Sequence, residues 1–440
     1  MNRNDNNTHS ENSYKGPNRG GYIGSALLVY LVCLIIYAIL SYVFVPNSFF
    51  RSNNGEDEQY NASAGENMSQ KDSALVVDVI QDEDESAIIQ EGTPGKEIVY
   101  GKDTGNLEEG KWFYYDQLDE HDKAVYETII DLLDHREDDQ YFVNIIADGE
   151  YDDNIVQNIF SNVRMITYDH PEKYYLKLCI PVVIYPYQEQ TQTIYCVRNY
   201  EMDSDELQKM KELEDSAESF LSDIDMNQSQ DKIELQIHDK LIKTVSYDTS
   251  VYESDMLNSN RDDFVVDLAH TAYGVLVADS SGNANSAVCD GYSLAFEYLL
   301  NKADIYSTVV IGYGKEGPGP AEELSENAHA WNMVCLDGDW YEVDCTWDDM
   351  DLEIKYPNEY INIEEFGKPI ELAKHHYFNI TSETMTATPS NPECVVLING
   401  YLYNFADVTS HARGSLDKSC EALIDMLPVA EGTKYAFSAD

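Results

Sequence analysis

A cysteine in the middle of the chain stands where a reactive thiol could form. Cys289 immediately precedes a stretch whose apolar residues, from Leu294 to Leu299, recur at helical spacing. A cysteine at a helix N-terminus faces the positive end of the helix dipole, which favours the thiolate, the nucleophilic form of the side chain. The neighbouring Asp290 opposes that effect with its negative charge. Taken alone, this segment favours a small buried cysteine at the start of a core helix over a catalytic one.

A predicted β-hairpin further along the chain supplies the partners that such a thiol would need. Residues 326–349 read ENAHAWNMVCLDGDWYEVDCTWDD, in which the Asp337-Gly338 dipeptide is typical of a tight turn between two strands. With the flanking residues paired, His329 and Asp344 are diagonal neighbours on one face, and a one-residue bulge would bring them closer. A carboxylate that orients an imidazole is the base half of a thiol triad, whose thiol comes from another element. The three residue types together favour catalysis over a purely structural interpretation.

The same segments resemble the transglutaminase-like superfamily. The likeness rests on C-D-G-Y from Cys289, H-A-W-N from His329 and D-G-D-W-Y-E-V-D-C-T-W-D-D from Asp337, which match the pattern of the bacterial members at nearly every position. It covers about residues 230–385. The resemblance implies a papain-like fold in which Cys289 is the nucleophile, His329 the general base and Asp344 the carboxylate that orients the base.

Two further residues bear on this predicted site. Ser293 stands where the family pattern usually has alanine, a departure that we expect to be harmless. The backbone N–H of Cys289 would be one donor to an oxyanion, and Tyr273 is a candidate for the second donor.

The overall composition is that of a globular protein with a strong negative charge. The chain has 440 residues, 43% hydrophobic and 25% charged, which is enough for two or three domains. Its 28 Lys and Arg stand against 81 Asp and Glu, giving a net charge of −53. Such a surface repels phosphate backbones, so we expect no nucleic-acid partner. The 8 cysteines are too few for a disulfide scaffold.

One segment near the N-terminus is predicted to anchor the chain in a membrane. No charged residue occurs between Arg19 and Arg51, and within that gap segment 22–46 is long and apolar enough to span a bilayer. A cleaved signal peptide is the alternative, but the apolar stretch is long and no small-residue cleavage site follows it. Three basic residues precede the span and one follows closely. The positive-inside rule then leaves residues 1–21 in the cytoplasm and the large C-terminal part outside.

The rest of the chain divides by composition into four parts. Residues 47–100 are acidic and polar and are predicted to be a flexible linker, with a single strand-like island at 74–80. Strands and helices are then expected in an N-terminal α+β region at 101–225. The transglutaminase-like domain is placed at 226–385 and a C-terminal extension at 386–440. Strands and helices in separate runs favour an α+β fold.

Hydrophobic spacing predicts individual elements outside the motifs. In the N-terminal region it predicts a helix over 118–135, strands over 141–147, 174–187 and 191–200, and a helix from Asp203 to Ile224. A second helix follows with Ile233, Ile237 and Leu241 on one face. In the extension, 394–405 resembles a hairpin and 415–427 a short helix.

We predict no metal site and no cofactor. The pairs His375-His376 and Cys179/Cys196 lack the spacing of a zinc site. The acidic cluster at 148–154 does not match the spacing of an EF-hand loop.

The resemblance and the predicted triad together imply a membrane-anchored, extracytoplasmic thiol enzyme. We expect it to act on amide bonds of peptide or protein substrates through a thioester, with hydrolysis slightly favoured over transamidation. One alternative is a binding or scaffold module of the same fold at the cell surface, without turnover. Another is a role in cell-envelope maturation, in which the acidic domain docks on basic partners. The motifs do not fix the substrate or the oligomeric state.

Overall fold

The computed structural model describes the chain in the ranges 96–100, 107–135, 142–178, 183–198, 206–258, 267–277, 285–317, 327–349, 371, 374–386, 395–398, 401–404, 408–415 and 418–438. The predicted membrane span at 22–46 and the island at 74–80 lie outside these residues. Within the described ranges, no helix has the length and apolar character needed to cross a membrane. All the described residues belong to one compact unit.

The N-terminal region folds into a four-stranded sheet flanked by helices. The strands are β1 Lys96–Val99, β2 Phe142–Asp148, β3 Val183–Glu189 and β4 Gln192–Arg198, in the order β1-β2-β4-β3 with β1 parallel to β2. The helices are α1 Phe113–Asp116, α2 Glu120–Asp134, α3 Asp153–Asp169 and α4 Tyr175–Leu178. These bounds confirm the helix predicted at 118–135 and the strands predicted at 141–147 and 191–200.

The strand predicted at 174–187 is wrong in its first part, which forms α4 instead. Aromatic and apolar residues at Tyr174–Leu178 favour a strand by type. The backbone instead forms helical turns. The Leu176 N–H donates to the Lys173 carbonyl at 2.9 Å, and the Lys177 N–H donates to the Tyr174 carbonyl at 3.0 Å. The Lys177 side chain also pairs with Asp290, at 2.8 Å. Tyr174, Tyr175 and Leu176 are all buried in this conformation, so tertiary packing outweighs the local propensity.

A set of helices leads the chain to Cys289. It comprises α5 Glu206–Leu221, α6 Gln230–Thr244, α7 Thr249–Asn258, a 3-10 turn at Leu268–His270, α8 Ala272–Leu276 and α9 Cys289–Lys302. Two short strands, β5 Val245–Tyr247 and β6 Asn285–Ala287, pair in parallel just before α9. The two helices predicted from apolar spacing are thus confirmed, with Leu213, Ala217, Ile237 and Leu241 fully buried.

A second, antiparallel sheet carries the predicted hairpin. It contains β7 Ser307–Gly317, β8 Asn327–Leu336, β9 Asp339–Val343 and β12 Val408–Arg413, in the order β12-β7-β8-β9. The predicted turn is confirmed, because Asp337 and Gly338 both have positive φ, at 53° and 90°. The remaining elements are α10 Cys345–Asp348, α11 Ser382–Thr386, the hairpin of β10 Val395–Ile398 and β11 Tyr401–Asn404, and α12 Lys418–Met426. Both elements predicted in the C-terminal extension are therefore present.

One apolar cluster runs through both the N-terminal region and the second half of the chain, and part of it lies between α9 and this second sheet. Phe296 and Leu299 of α9 and Val334 of β8 are fully buried in one apolar cluster. Burial of these side chains is the main term that holds α9 against β8. The α+β prediction is confirmed, and the packing sets the first residue of α9 beside the strand that carries His329.

The 3-10 turn lies close against the N-terminus of α9. The Val288 N–H donates to the Ala269 carbonyl at 3.1 Å. A Cβ added at Gly291 would lie 2.1 Å from the same carbonyl oxygen, far below van der Waals contact. Glycine is therefore needed here for close approach, although alanine is otherwise the better helix former.

We expect Gly291→Ala to destabilise the protein by about 1–3 kcal/mol, because the new methyl group meets backbone atoms that cannot move aside. Urea unfolding would measure this loss. Gly414→Ala is the matched control, since its added Cβ would first meet a side-chain carbon of Tyr313, at 3.1 Å. Equal losses in the two variants would contradict the close-approach argument.

Candidate active site

The structure brings the three predicted site residues together from three elements. Cys289 begins α9, His329 lies on β8, and Asp344 follows β9. His329 Nε2 lies 2.6 Å from Asp344 Oδ2, and the Cys289 side chain is near enough to the same imidazole to interact with it electrostatically. Asp344 is fully buried and His329 nearly so, whereas Cys289 is half-buried. Of the three, the thiol is thus the group most open to a substrate.

Asp344 reaches the imidazole because β9 ends one residue before it. The paired strands run in continuous register from the turn to Asn332 and Val343, so the bulge considered from the sequence is absent from this hairpin. Asp344 leaves the strand and caps α10. Its Oδ1 accepts from the backbone N–H groups of Thr346 at 2.9 Å and Trp347 at 3.1 Å. The cap fixes Oδ1, which leaves Oδ2 for the histidine.

His329 and Asp344 each favour the charged form of the other. Burial opposes a charge on His329, but the Asp344 carboxylate and the Cys289 side chain raise the pKa of His329 to about 10. Burial likewise opposes a charge on Asp344, but the imidazoles of His329 and His411 hold the pKa of Asp344 well below its usual value. The imidazole therefore carries the proton at neutral pH, in the state that stabilises a neighbouring thiolate.

The negative charge of Asp290, beside the thiol, is compensated by two cationic partners. Its carboxylate lies 2.8 Å from Lys177 Nζ and 2.8 Å from His270 Nδ1. Burial works against ionisation of Asp290, but His270 and Lys177 outweigh it and lower its pKa. The second nitrogen of His270 lies 2.8 Å from Asp255. The opposition between Asp290 and a Cys289 thiolate, expected from the sequence, is thus reduced by a lysine from the N-terminal region.

A second histidine, which the sequence did not single out, also contacts Asp344. His411 lies on β12 with its side chain 1% exposed, and its Nε2 is 2.9 Å from Asp344 Oδ2. The pKa of His411 is lowered, chiefly by burial. His411 belongs to the predicted extension, 67 residues after Asp344 and away from every recognised motif. The alternation of V-T-S-H-A-R groups His411 with Thr409 and Arg413, on the face opposite Val408 and Ala412, so no local signal marks it as buried.

Two glycines on β7 let the side chains of β12 reach the site across the sheet. His411 pairs with Gly314 and Arg413 with Gly312, while Gly312 also pairs with His329 on the other side. A Cβ at Gly312 would lie 2.7 Å from the ring of Trp331. Because β7 has no side chain at these two positions, side chains of β12 and β8 can contact each other across β7.

Tyr273 and Ser293, the two further residues considered from the sequence, both make hydrogen bonds that the sequence did not predict. The Tyr273 hydroxyl donates to Glu212 Oε2 at 3.0 Å, and its ring stacks on Tyr174. This contact directs Tyr273 towards α5 and does not support it as an oxyanion donor. The Ser293 hydroxyl donates to the Cys289 carbonyl at 2.8 Å, so this departure from the family pattern adds a bond to the first turn of α9.

The family comparison covers the part of the chain that carries this site. Residues 219–345 match the family model of the Transglutaminase-like superfamily. This part of the chain is a transglutaminase-like domain. The match includes all three predicted site residues and ends just after Asp344, so β12 and His411 lie outside it.

Two curated relatives match this chain over a stretch shorter than the family match. The kyphoscoliosis peptidases of Mus musculus and Homo sapiens are each 43% identical to it over 61 residues. That alignment covers 13% of this chain and only 9% of each relative.

Among solved structures, the chain is similar to a TGase and to the periplasmic domain of TgpA from Pseudomonas aeruginosa. The TGase is 14% identical with a TM-score of 0.24, over 48% of this chain and 52% of the other. The TgpA domain is 14% identical with a TM-score of 0.19, over 43% of this chain and 60% of the other. At these values neither structure adds to the family assignment.

We expect His411→Ala to lower the free energy of unfolding by about 1.5–3 kcal/mol, because the buried Asp344 carboxylate loses a hydrogen-bond donor. His411→Gln should lose less, since its amide N–H can still donate. Denaturant unfolding of both variants tests this, with the rate of Cys289 alkylation at neutral pH as a second readout. A wild-type stability and alkylation rate in His411→Ala would show that His411 does not support Asp344.

Proposed function

We propose that this domain is a thiol enzyme that cleaves amide bonds of peptide or protein substrates through a Cys289–His329–Asp344 triad. The observation that carries the proposal is that the half-buried thiol lies beside an imidazole which is itself hydrogen-bonded to a fully buried carboxylate. A histidine held in this way both orients towards the thiol and keeps the proton that the leaving group needs.

The proposed reaction has two steps. In the first, the Cys289 thiolate attacks the amide carbonyl, a C–S bond forms, the C–N bond breaks, and His329 gives its proton to the departing amine. In the second, His329 takes a proton from water, and the water oxygen attacks the thioester carbonyl. The C–S bond then breaks, a carboxylic acid is released, and the Cys289 thiolate and protonated His329 are restored. A primary amine in place of water would give transamidation instead, and we favour water.

The charge and predicted anchor suggest where such an enzyme would work and on what. With a net charge of −53, the chain attracts neutral or basic substrates better than acidic ones. The apolar segment at 22–46 supports a single-pass, membrane-anchored protein whose domain lies outside the cytoplasm. Peptide or protein material of the cell envelope is the substrate class that we infer.

The direct test is capture of the acyl-enzyme from a peptide library offered to the full chain. We expect intact-protein mass spectrometry to find an adduct on Cys289 that accumulates in the wild type and is absent from Cys289→Ala. His329→Ala should slow its formation by roughly a hundredfold or more, because the departing amine loses its general acid. Cys335→Ala removes another half-buried free thiol and should leave the adduct unchanged.

The released products distinguish the two acceptors and the rival function. Free acid in buffer supports hydrolysis, and incorporation of an added primary amine supports transamidation. Peptide binding that is equal in the wild type and in Cys289→Ala, without an adduct or product, would contradict the proposal and leave a binding module.

A further inference from the structure

A second group of histidine and aspartate side chains joins α6 to the segment before α11. Asp239 Oδ1 lies 3.1 Å from Nδ1 of His238 and 2.6 Å from Nε2 of His375. One nitrogen or oxygen atom from each of the three side chains lies within 4.8 Å of the other two. The proposed reaction uses none of these residues.

The outer nitrogen of each imidazole is also held by an acceptor. Nε2 of His238 lies 3.2 Å from Asp348 Oδ2, and Nδ1 of His375 lies 2.7 Å from the Glu371 carbonyl. Carboxylate and carbonyl oxygens only accept, so both outer nitrogens carry hydrogen. Histidines that bind metal are oriented in the same way, with the outer N–H donated to a carboxylate or carbonyl. By the same rule the two inner nitrogens carry hydrogen towards Asp239, and loss of those two protons would leave both lone pairs directed at the Asp239 side.

Burial and packing fix the two rings and leave one side open. The side chains of His238 and His375 are 0% and 2% exposed, whereas that of Asp239 is 48% exposed. The His375 ring stacks on Phe437 with centroids 3.7 Å apart. The two nitrogen ligands are therefore preorganised, and an ion and its water could enter on the Asp239 side.

The local charge matches a divalent ion. Asp239 and Asp348 bring two negative charges to this buried place, and two imidazolium protons or one divalent cation would balance them. Two imidazole nitrogens and one carboxylate oxygen suit zinc and similar transition metals, whereas calcium and magnesium prefer oxygen ligands.

We propose that His238, Asp239 and His375 bind a divalent transition-metal ion of the zinc class, with water completing the coordination. Binding displaces the hydrogen from the inner nitrogen of each imidazole and releases it to solvent, while the outer N–H groups keep their bonds to Asp348 and Glu371. The sequence-based expectation of no metal site considered His375 with His376. The structure instead pairs His375 with a residue 136 positions earlier.

Zinc titration of the tag-free, chelator-treated full chain by calorimetry tests the site. We expect saturable binding of one ion, with proton release that appears as a dependence of the heat on the buffer used. His375→Gln and Asp239→Asn should each weaken binding by roughly tenfold or more. His376→Gln is the matched control and should bind as the wild type does, because its imidazole is outside the cluster.

Two variants of the candidate active site distinguish an ion bound at His238, Asp239 and His375 from an ion bound at the active site. His329, Asp344 and His411 also have atoms within 4.8 Å of one another, so His411→Gln and Cys289→Ala must retain the wild-type affinity. The cobalt-loaded protein should lack a thiolate charge-transfer band. The half-exposed Asp239→Asn decides the test if His375→Gln does not fold. The proposal is wrong if the wild type shows no saturable binding, or if only the thiol-site variants lose it.

Discussion

The buried carboxylate of Asp344 is the interaction on which the site depends. It accepts four hydrogen bonds, from the imidazoles of His329 and His411 and from two backbone N–H groups of α10. A carboxylate without exposure to water is costly unless such donors are present. The donors come from β8, β12 and α10, so the hold of Asp344 on the His329 imidazole depends on all three elements being in place.

This dependence makes the C-terminal strand part of the candidate site. Besides His411, β12 contributes Arg413, whose guanidinium lies 2.7 Å from the buried carboxylate of Glu342. Both contacts cross β7 at positions occupied by Gly312 and Gly314. The N-terminal region contributes as well, through the Lys177 pairing with Asp290 next to the thiol. The transglutaminase-like segment alone therefore lacks several of the side chains that surround the three candidate site residues.

The sequence was most informative where the pattern was local. The hairpin turn at Asp337-Gly338, the alternation along β8 and the helical spacing after Cys289 are each set by neighbours in the chain, so they were predictable. His411 and Lys177 act through contacts with residues 67 and 113 positions away, which spacing cannot indicate. The helical turn of α4 and the contact of His375 with Asp239, beside His238, could not be predicted for the same reason. The α+β fold was predictable from element order, but the place of β12 at the sheet edge was not.

The central claim is that His329, held by Asp344, activates the Cys289 thiol. Its most direct test is the rate of Cys289 alkylation by iodoacetamide across pH in the full chain, taken as the difference between the wild type and Cys289→Ala. We predict a rate at neutral pH above that of an ordinary free cysteine, and loss of that excess in His329→Ala until the pH is high. A slow reaction in the folded wild type, or a rate that His329→Ala leaves unchanged, would contradict the account.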